Sequence, residues 1–204
     1  MRPLLVASLG NPGSVYAHTL HSAGHTLLQA LQRATGLSPL VKDRKFGNGA
    51  ISHGPGFSLW QSSSYMNDSG SGLAAAWRAF CTQLPMSDDP DVAPFLVVLH
   101  DDLELDLGRC TIKSGVGKSA RGHNGLKSFL GMPGMKALDF ARVGVGIGPR
   151  PLSRDSDEVA KFVLKKMTPA QKMRIEDCAA PVWEACGKMM EGKKNFAGNI
   201  KAMG

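Results

Sequence analysis

Short apolar runs alternate with segments of helical periodicity along most of this 204-residue chain, and this alternation restricts its fold more than any other feature. The runs at residues 4–9 and 95–99 are apolar at nearly every position, as expected for strands buried on both faces of a sheet. Strands that alternate with helices indicate an α/β fold. We predict a single three-layer α/β/α domain with a twisted mixed, mostly parallel sheet and C-terminal helices. It spans residues 1–192 and is followed by a flexible basic tail, residues 193–204.

Turn and capping residues set the boundaries of the predicted elements. Strands are predicted at residues 4–9, 49–53, 57–61, 95–99, 109–113 and 140–147. Helices are predicted to begin at the capping residues Ser22 and Ser69, at Asn124, and at the capping-box patterns of residues 155–158 and 168–171. We expect Pro181 to kink the last helix.

Composition limits the classes of function. A formal charge of +7 favours a polyanionic partner, whereas an aromatic share of only 6% opposes a chain of base-stacking platforms. The four cysteines form no CxxC pair, which indicates reduced thiols in a reducing compartment. No apolar stretch reaches about 18 residues, and because the first strand is predicted to start almost at Met1 we expect no signal peptide, with a longer precursor that has been trimmed as the alternative. We therefore expect a cytoplasmic protein that does not enter a membrane.

Polar residues stand where several predicted strands end. Asn11, Asn67 and Asp101 each follow an apolar strand, and ligands of open α/β sheets bind outside the carboxyl ends of the strands. A carboxylate such as Asp101 can orient a histidine that takes a proton from water, and His21 is the best candidate for that base. With the amide of Asn124, these residues predict a site that cleaves esters without a protein nucleophile.

Motifs for other chemistries fail on inspection. Lys118 lies in a Gly-Lys-Ser sequence, but Ile112 occupies the position where a phosphate-binding P-loop needs its first glycine. Ser119 lacks the following glycine of a serine-hydrolase elbow. The His-Asp-Asp sequence at residues 100–102 has no second histidine pair at metal-ligand spacing. We expect a hydrolase with no metal and no cofactor.

Most candidate residues also have a simpler structural interpretation. Asn11 suits a turn before a proline, Asn67 and Asn124 suit helix caps, and Met66 suits the core. These alternatives stay open at the level of sequence.

A glycine-rich segment at residues 115–125 is typical of a loop that binds phosphate through backbone N–H groups. A mobile surface loop is the alternative, but the surrounding positive charge favours an anion. The basic residues in and beside the segment are Lys113, Lys118, Arg121, Lys127 and Arg142.

Together these motifs resemble those of bacterial-type peptidyl-tRNA hydrolases, from about residue 4 to residue 185. Each motif is weak alone, but their order and spacing are highly specific. The matching pieces are LGNPG with Tyr16, His21-x-Ala-Gly, Met66-Asn67-x-Ser-Gly, His100-Asp101, Gly-His-Asn124-Gly-Leu-Lys and Val145-Gly-Ile-Gly.

The resemblance implies a single α/β/α domain that cleaves the ester between a nascent peptide and the 3′ ribose of tRNA, recycling tRNA from stalled or aborted translation. It implies that His21 is the general base, that Asp101 orients it, and that Asn11 takes part in catalysis. The implied substrate-binding residues are Tyr16, Met66, Asn67, Asn124, Lys113, Lys118, Arg121 and Arg142. The implied partner is peptidyl-tRNA, and we expect a cytoplasmic monomer, with a mitochondrial location as the alternative.

The chain departs from the family pattern at a few positions. Leu20 and Ser22 replace the usual arginine and asparagine, and Gly144 stands where a second arginine is frequent. The interval between Lys113 and Asn124 is two residues longer than usual, and residues 88–94 look inserted. These departures bear on contacts to tRNA more than on the chemistry.

Two other classes of function compete with the hydrolase. Some relatives of the family act in organelle RNA splicing as binding proteins, and a turnover assay distinguishes them from enzymes. A metal-dependent phosphoesterase that uses residues 100–102 would lose its activity in the presence of a chelator.

Overall fold

The computed structural model describes residues 1–85, 89, 92–114, 120, 122–152, 155–193 and 198–201. The strands are β1 (Leu4–Ser8), β2 (Val41–Lys42), β3 (Gly49–Gly54), β4 (Phe57–Ser62), β5 (Phe95–Asp102), β6 (Arg109–Ser114), β7 (Phe140–Gly146) and β8 (Gly198–Lys201). The α-helices are α1 (Ala23–Ala34), α2 (Ser69–Thr82), α3 (Asn124–Leu130), α4 (Ser156–Val163), α5 (Pro169–Glu176) and α6 (Ala179–Met190). No helix within these ranges is long and apolar enough to cross a bilayer.

The strands of the described residues form one mixed sheet in the order β2-β3-β4-β1-β5-β7-β6-β8. The four central strands β4, β1, β5 and β7 all run in the same direction. On either side of them, β3 pairs antiparallel with β4 and β2, and β6 pairs antiparallel with β7 and β8. The carboxyl ends of the central strands therefore meet at one edge of the sheet, where ligands of such folds bind.

Side chains of β1 alternate between two cores, one on each face of the sheet. Leu4 packs in a cluster with Leu27 of α1, and helices α5 and α6 contribute to the same cluster. Leu5 packs on the opposite face in a cluster with Leu73 of α2. All four leucines are fully buried, and each contributes roughly 1.5–3 kcal/mol. Burial on both faces explains the uninterrupted apolar runs and confirms the three-layer α/β domain.

The helix starts agree with the prediction, but the caps expected at Ser22 and Ser69 are wrong. Thr168 forms the predicted capping box of α5. Ser22 and Ser69 make no side-chain cap bond. Their hydroxyls donate instead to the carbonyls of Tyr16 and Met66, because each helix continues directly from a preceding turn.

The C-terminal region differs from the prediction in two respects. Pro181 is the third residue of α6, in the first turn, so it does not kink a longer helix. Its missing N–H is one that the first turn leaves without an intrahelical partner. Residues 198–201, within the segment expected to be flexible, form β8 and pair with β6. Residues 194–197 and 202–204 of that segment lie outside the described residues.

Candidate active site

His21 and Asp101 lie side by side at the carboxyl edge of the sheet. Asp101 is the next-to-last residue of β5, and His21 is in the 3₁₀ turn before α1. A Cβ atom at Gly24 would lie 2.7 Å from the carbonyl oxygen of Leu99, so only glycine lets α1 approach β5 so closely. This approach brings Nδ1 of His21 to 2.8 Å from Oδ1 of Asp101. The predicted pair is thus assembled.

The charge of Asp101 sets the state of the His21 ring. A carboxylate can only accept, so Nδ1 carries a proton and the neutral ring keeps a lone pair on Nε2. Burial would lower the pKa of His21, but the charge and hydrogen bond of Asp101 outweigh it and raise the pKa above 6.5. Burial would raise the pKa of Asp101, but His21 and His123 hold it well below its ordinary value.

His123 is a residue of the candidate site that the sequence interpretation missed. Its Nε2 lies 3.0 Å from Oδ1 of Asp101, and its Nδ1 accepts a hydrogen bond from the backbone N–H of Leu126. His123 is therefore the N-cap of α3, a role that the sequence had suggested for Asn124. The two bonds fix the proton on Nε2, so a neutral His123 donates to the carboxylate.

Asn11 joins the loop after β1 to the turn before α2. Its Oδ1 accepts from the backbone N–H of Met66 at 2.8 Å. Met66 in turn packs against α3, where a Cβ atom at Gly125 would come within 2.5 Å of its Sδ. Asn11, Met66, His21 and Asp101 line one cleft of about 730 Å³, which we call the catalytic cleft.

Asn67 and Asn124 also line the catalytic cleft, and both are exposed. Neither side-chain amide forms a hydrogen bond to any residue that the structure describes, so both can bind substrate. Asn11, by contrast, already has a structural partner for its oxygen. The fold therefore gathers all five residues that the sequence singled out, and the three amides among them differ in their hydrogen bonding.

A neutral histidine with a free Nε2, a buried carboxylate behind it and amides around it can activate water against an ester. A sequence model described as peptidyl-tRNA hydrolase matches residues 5–202 of this chain. The chain belongs to the peptidyl-tRNA hydrolase family. The assignment confirms the resemblance and the enzyme class that the sequence predicted.

Relatives and solved structures agree with this assignment. The chain is 35% identical over 192 residues to a peptidyl-tRNA hydrolase of Mycobacterium tuberculosis, covering 93% of this chain and 92% of the relative. It is 40% identical over 166 residues to that of Geobacter sulfurreducens, covering 80% and 77%. The crystal structure of peptidyl-tRNA hydrolase from Acinetobacter baumannii superposes with a TM-score of 0.74 at 27% identity, covering 95% of this chain and 92% of that one.

Basic residues share the cleft with the catalytic candidates of this peptidyl-tRNA hydrolase family member. Lys113 on β6 is paired in register with Arg142 on β7, and Lys127 lies on α3. All three line the catalytic cleft, and Arg142 is buried there. Lys118 and Arg121, the other predicted tRNA-binding residues, lie outside the described residues.

Tyr16 does not line the catalytic cleft directly. Its ring packs edge to face against Tyr65, with centroids 6.0 Å apart, and Tyr65 does line the cleft. The backbone carbonyl of Tyr16 accepts from the hydroxyls of Thr19 and Ser22. Tyr16 thus contacts a residue of the cleft and belongs to the hydrogen bonds of the turn that carries His21.

Three side chains in the described part of the chain could hold a cation: the ligand atoms of His21, Asp101 and His123 lie within 4.8 Å of one another. A bound ion would replace both hydrogen bonds to Asp101. His100, which the sequence analysis considered as a metal ligand, is buried, and its Nδ1 lies 2.7 Å from the carbonyl oxygen of Asp101. Burial, followed by the charge of His123, lowers the pKa of His100 to about 3 and keeps it neutral.

Proposed function

We propose that this chain cleaves the ester between a nascent peptide and the 3′ ribose of tRNA, with His21 as general base. The observation that carries the proposal is the 2.8 Å contact between His21 and the buried Asp101, which leaves Nε2 available in a cleft that basic residues also line. Release of the peptide would return the tRNA to translation.

The reaction begins when Nε2 of His21 takes a proton from a water molecule. The water oxygen attacks the ester carbonyl carbon, and negative charge develops on the carbonyl oxygen. The amides of Asn67 and Asn124 are free to donate to substrate oxygens; one such bond made in the transition state is worth roughly 10²–10³ in rate. The bond to the ribose 3′ oxygen then breaks, and the His21 imidazolium returns its proton to that oxygen. The peptide leaves as a carboxylic acid that releases its proton to solvent, and the other product is tRNA with a free 3′ hydroxyl.

Asp101 stabilises the imidazolium during this cycle. It also holds the His21 tautomer whose Nε2 is basic. His123 donates to the same carboxylate oxygen and therefore helps to keep it in place.

The tRNA part of the substrate would be held by Lys113, Lys127 and Arg142, together with Lys118 and Arg121. The positive charge of the first three in the cleft supports this assignment. We propose that the enzyme acts as a monomer in the cytoplasm. The bacterial origin of the relatives supports a cytoplasmic location and lends no support to a mitochondrial one.

Purified protein tests the proposal through the release of N-acetylamino acid from N-acetylaminoacyl-tRNA. Wild type should turn over, and His21→Ala should lose roughly 10²–10⁴ in kcat. His53→Ala is the matched control, because His53 lies on β3 and does not line the catalytic cleft. Binding of tRNA without turnover would favour an RNA-binding protein, and loss of activity with a chelator would favour metal chemistry.

A further inference from the structure

A second pocket adjoins the catalytic cleft. Its volume is about 270 Å³, and it lies among the turn that contains Asn11, helix α1 and the carboxyl end of β4. Asn11 lines both the pocket and the catalytic cleft, so the two share a wall. The second pocket is too small for a nucleotide and large enough for one amino-acid side chain.

The second pocket is polar. Amides of Asn48 and Gln61 and hydroxyls of Ser62 and Ser63 line it. None of its described lining residues carries a carboxylate. The second pocket therefore suits a ligand group that forms hydrogen bonds. Its described lining offers no negative charge that would attract a cation.

His25 forms a buried part of this lining. Its side chain is 93% covered, and Nδ1 lies 2.8 Å from the hydroxyl of Ser8. Nε2 is buried next to Gly10, where a Cβ atom would lie 2.5 Å from it. Burial lowers the pKa of His25 to about 4, so the ring is neutral at physiological pH. His25 therefore adds no charge to the second pocket.

Lys42 supplies positive charge at the second pocket. It lies on the edge strand β2, is exposed, and forms no ion pair within the described ranges. His18 lines the same pocket. A carboxylate in the second pocket would therefore meet the ammonium group of Lys42 together with amides and hydroxyls.

The position of the second pocket relates it to the acyl side of the substrate. Lys113, Lys127 and Arg142, which suit tRNA phosphates, line the catalytic cleft, and none of them lines the second pocket. A peptide extends from the ester by at most ~3.3–3.6 Å per residue, so a residue close to the ester can reach an adjoining pocket. The acyl chain is thus the part of the substrate that can reach the second pocket and place a polar side chain in it.

We propose that the second pocket is a subsite for a carboxylate-bearing side chain of the nascent peptide, close to the esterified residue. The proposal rests on the proposed function and adds a preference for peptide sequence to it. Glutamate fits best, glutamine makes the hydrogen bonds without the charge, and lysine is disfavoured.

A set of N-acetyl-tripeptidyl-tRNAs tests the proposal with the intact protein. One residue of an alanine tripeptide is replaced by Glu, Gln or Lys, at the second or third position before the tRNA. At one position, KM should be lower for Glu than for Lys by roughly two- to fivefold, the range expected for an exposed ion pair. Equal KM values at both positions would overturn the proposal.

Variants at Lys42 sharpen the test. Lys42→Met should remove the difference between Glu and Gln, and Lys42→Glu should reverse the order of Glu and Lys. Lys45→Met is the control, since Lys45 is exposed nearby and lines neither pocket, and it should keep the wild-type order. A Lys42→Glu variant with the wild-type order would also overturn the proposal.

A single-residue substrate separates this proposal from the proposed function. N-acetylalanyl-tRNA has no residue at the second or third position before the tRNA and so cannot use the second pocket; wild type and the Lys45→Met control should cleave it with the same kcat/KM. If wild type does not cleave it, the proposed function fails and the subsite with it. If wild type cleaves it but shows no peptide preference, only the subsite fails.

Discussion

Nδ1 of His21 lies 2.8 Å from Oδ1 of Asp101 although 80 positions separate the two residues in the chain. The contact depends on the packing of α1 directly on the backbone of β5. The carboxylate is almost fully buried, and a second histidine donates to the same oxygen. Asp101 is therefore held from two sides, and its charge acts on a ring whose other nitrogen faces the cleft.

Asp101→Asn should lower kcat by roughly 10²-fold or more and leave KM nearly unchanged. The amide keeps the shape of the side chain but cannot stabilise the imidazolium, and its NH₂ group can select the wrong tautomer of His21. Steady-state kinetics on N-acetylaminoacyl-tRNA measure both constants, and Asp106→Asn serves as an exposed control. A normal kcat with a raised KM would mean that Asp101 binds substrate instead.

The pH profile should report the state of His21. General-base catalysis needs the neutral ring, and the pKa of His21 is raised above 6.5. The rate should therefore fall as the pH drops through a midpoint above 6.5 and reach a plateau on the alkaline side. Because Asp101 causes the rise, Asp101→Asn should move the midpoint to lower pH. Single-turnover rates measure the profile, and a flat profile would exclude His21 as the base.

Most of the fold could be predicted from the sequence, because strands buried on both faces leave continuous apolar runs. The predicted strand at residues 95–99 is the core of β5, and the predicted start of α3 at Asn124 is the observed one. The strand-end rule also placed Asn11, Asn67 and Asp101 at one edge. The sequence was sufficient for these features because each one depends on residues that are close together in the chain.

The role of His123 could not be predicted in the same way. Its bond to Asp101 depends on how closely α3 approaches the edge of the sheet, which is a tertiary property. The Gly125 contact that permits this approach involves Met66, from a distant part of the chain. The only available signal was the position of His123 in the same Gly-His-Asn motif as Asn124.

Asn11→Ala and Asn67→Ala should differ in their effects on stability. Asn11 accepts a hydrogen bond from the backbone of Met66, so its loss should cost about 1 kcal/mol of unfolding free energy as well as turnover. Asn67 has no such bond within the described chain, so Asn67→Ala should keep wild-type stability and lose up to ~10²–10³ in kcat. Thermal unfolding and kcat on the same preparations measure the difference. Equal stability losses would mean that Asn67 is also structural.

The salt dependence of KM should show how tRNA is held. Lys113 and Lys127 line the catalytic cleft, and each phosphate contact adds roughly 0.7–0.9 to the log–log slope of affinity against salt through counterion release. We expect Lys113→Met with Lys127→Met to raise KM for peptidyl-tRNA and to flatten this slope. Cleavage of a peptidyl-adenosine fragment, which lacks the tRNA phosphates, should be nearly unchanged.

The matched control for this pair is Lys188→Met with Lys193→Met, which removes the same charge from the C-terminal region. Both of these lysines are paired with nearby glutamates and do not line the cleft. The control should keep the wild-type KM and slope, because its charges do not line the cleft. If the control flattens the slope and the cleft variant does not, then tRNA binds along the C-terminal segment, and the lysines of the cleft serve only the solubility of the protein.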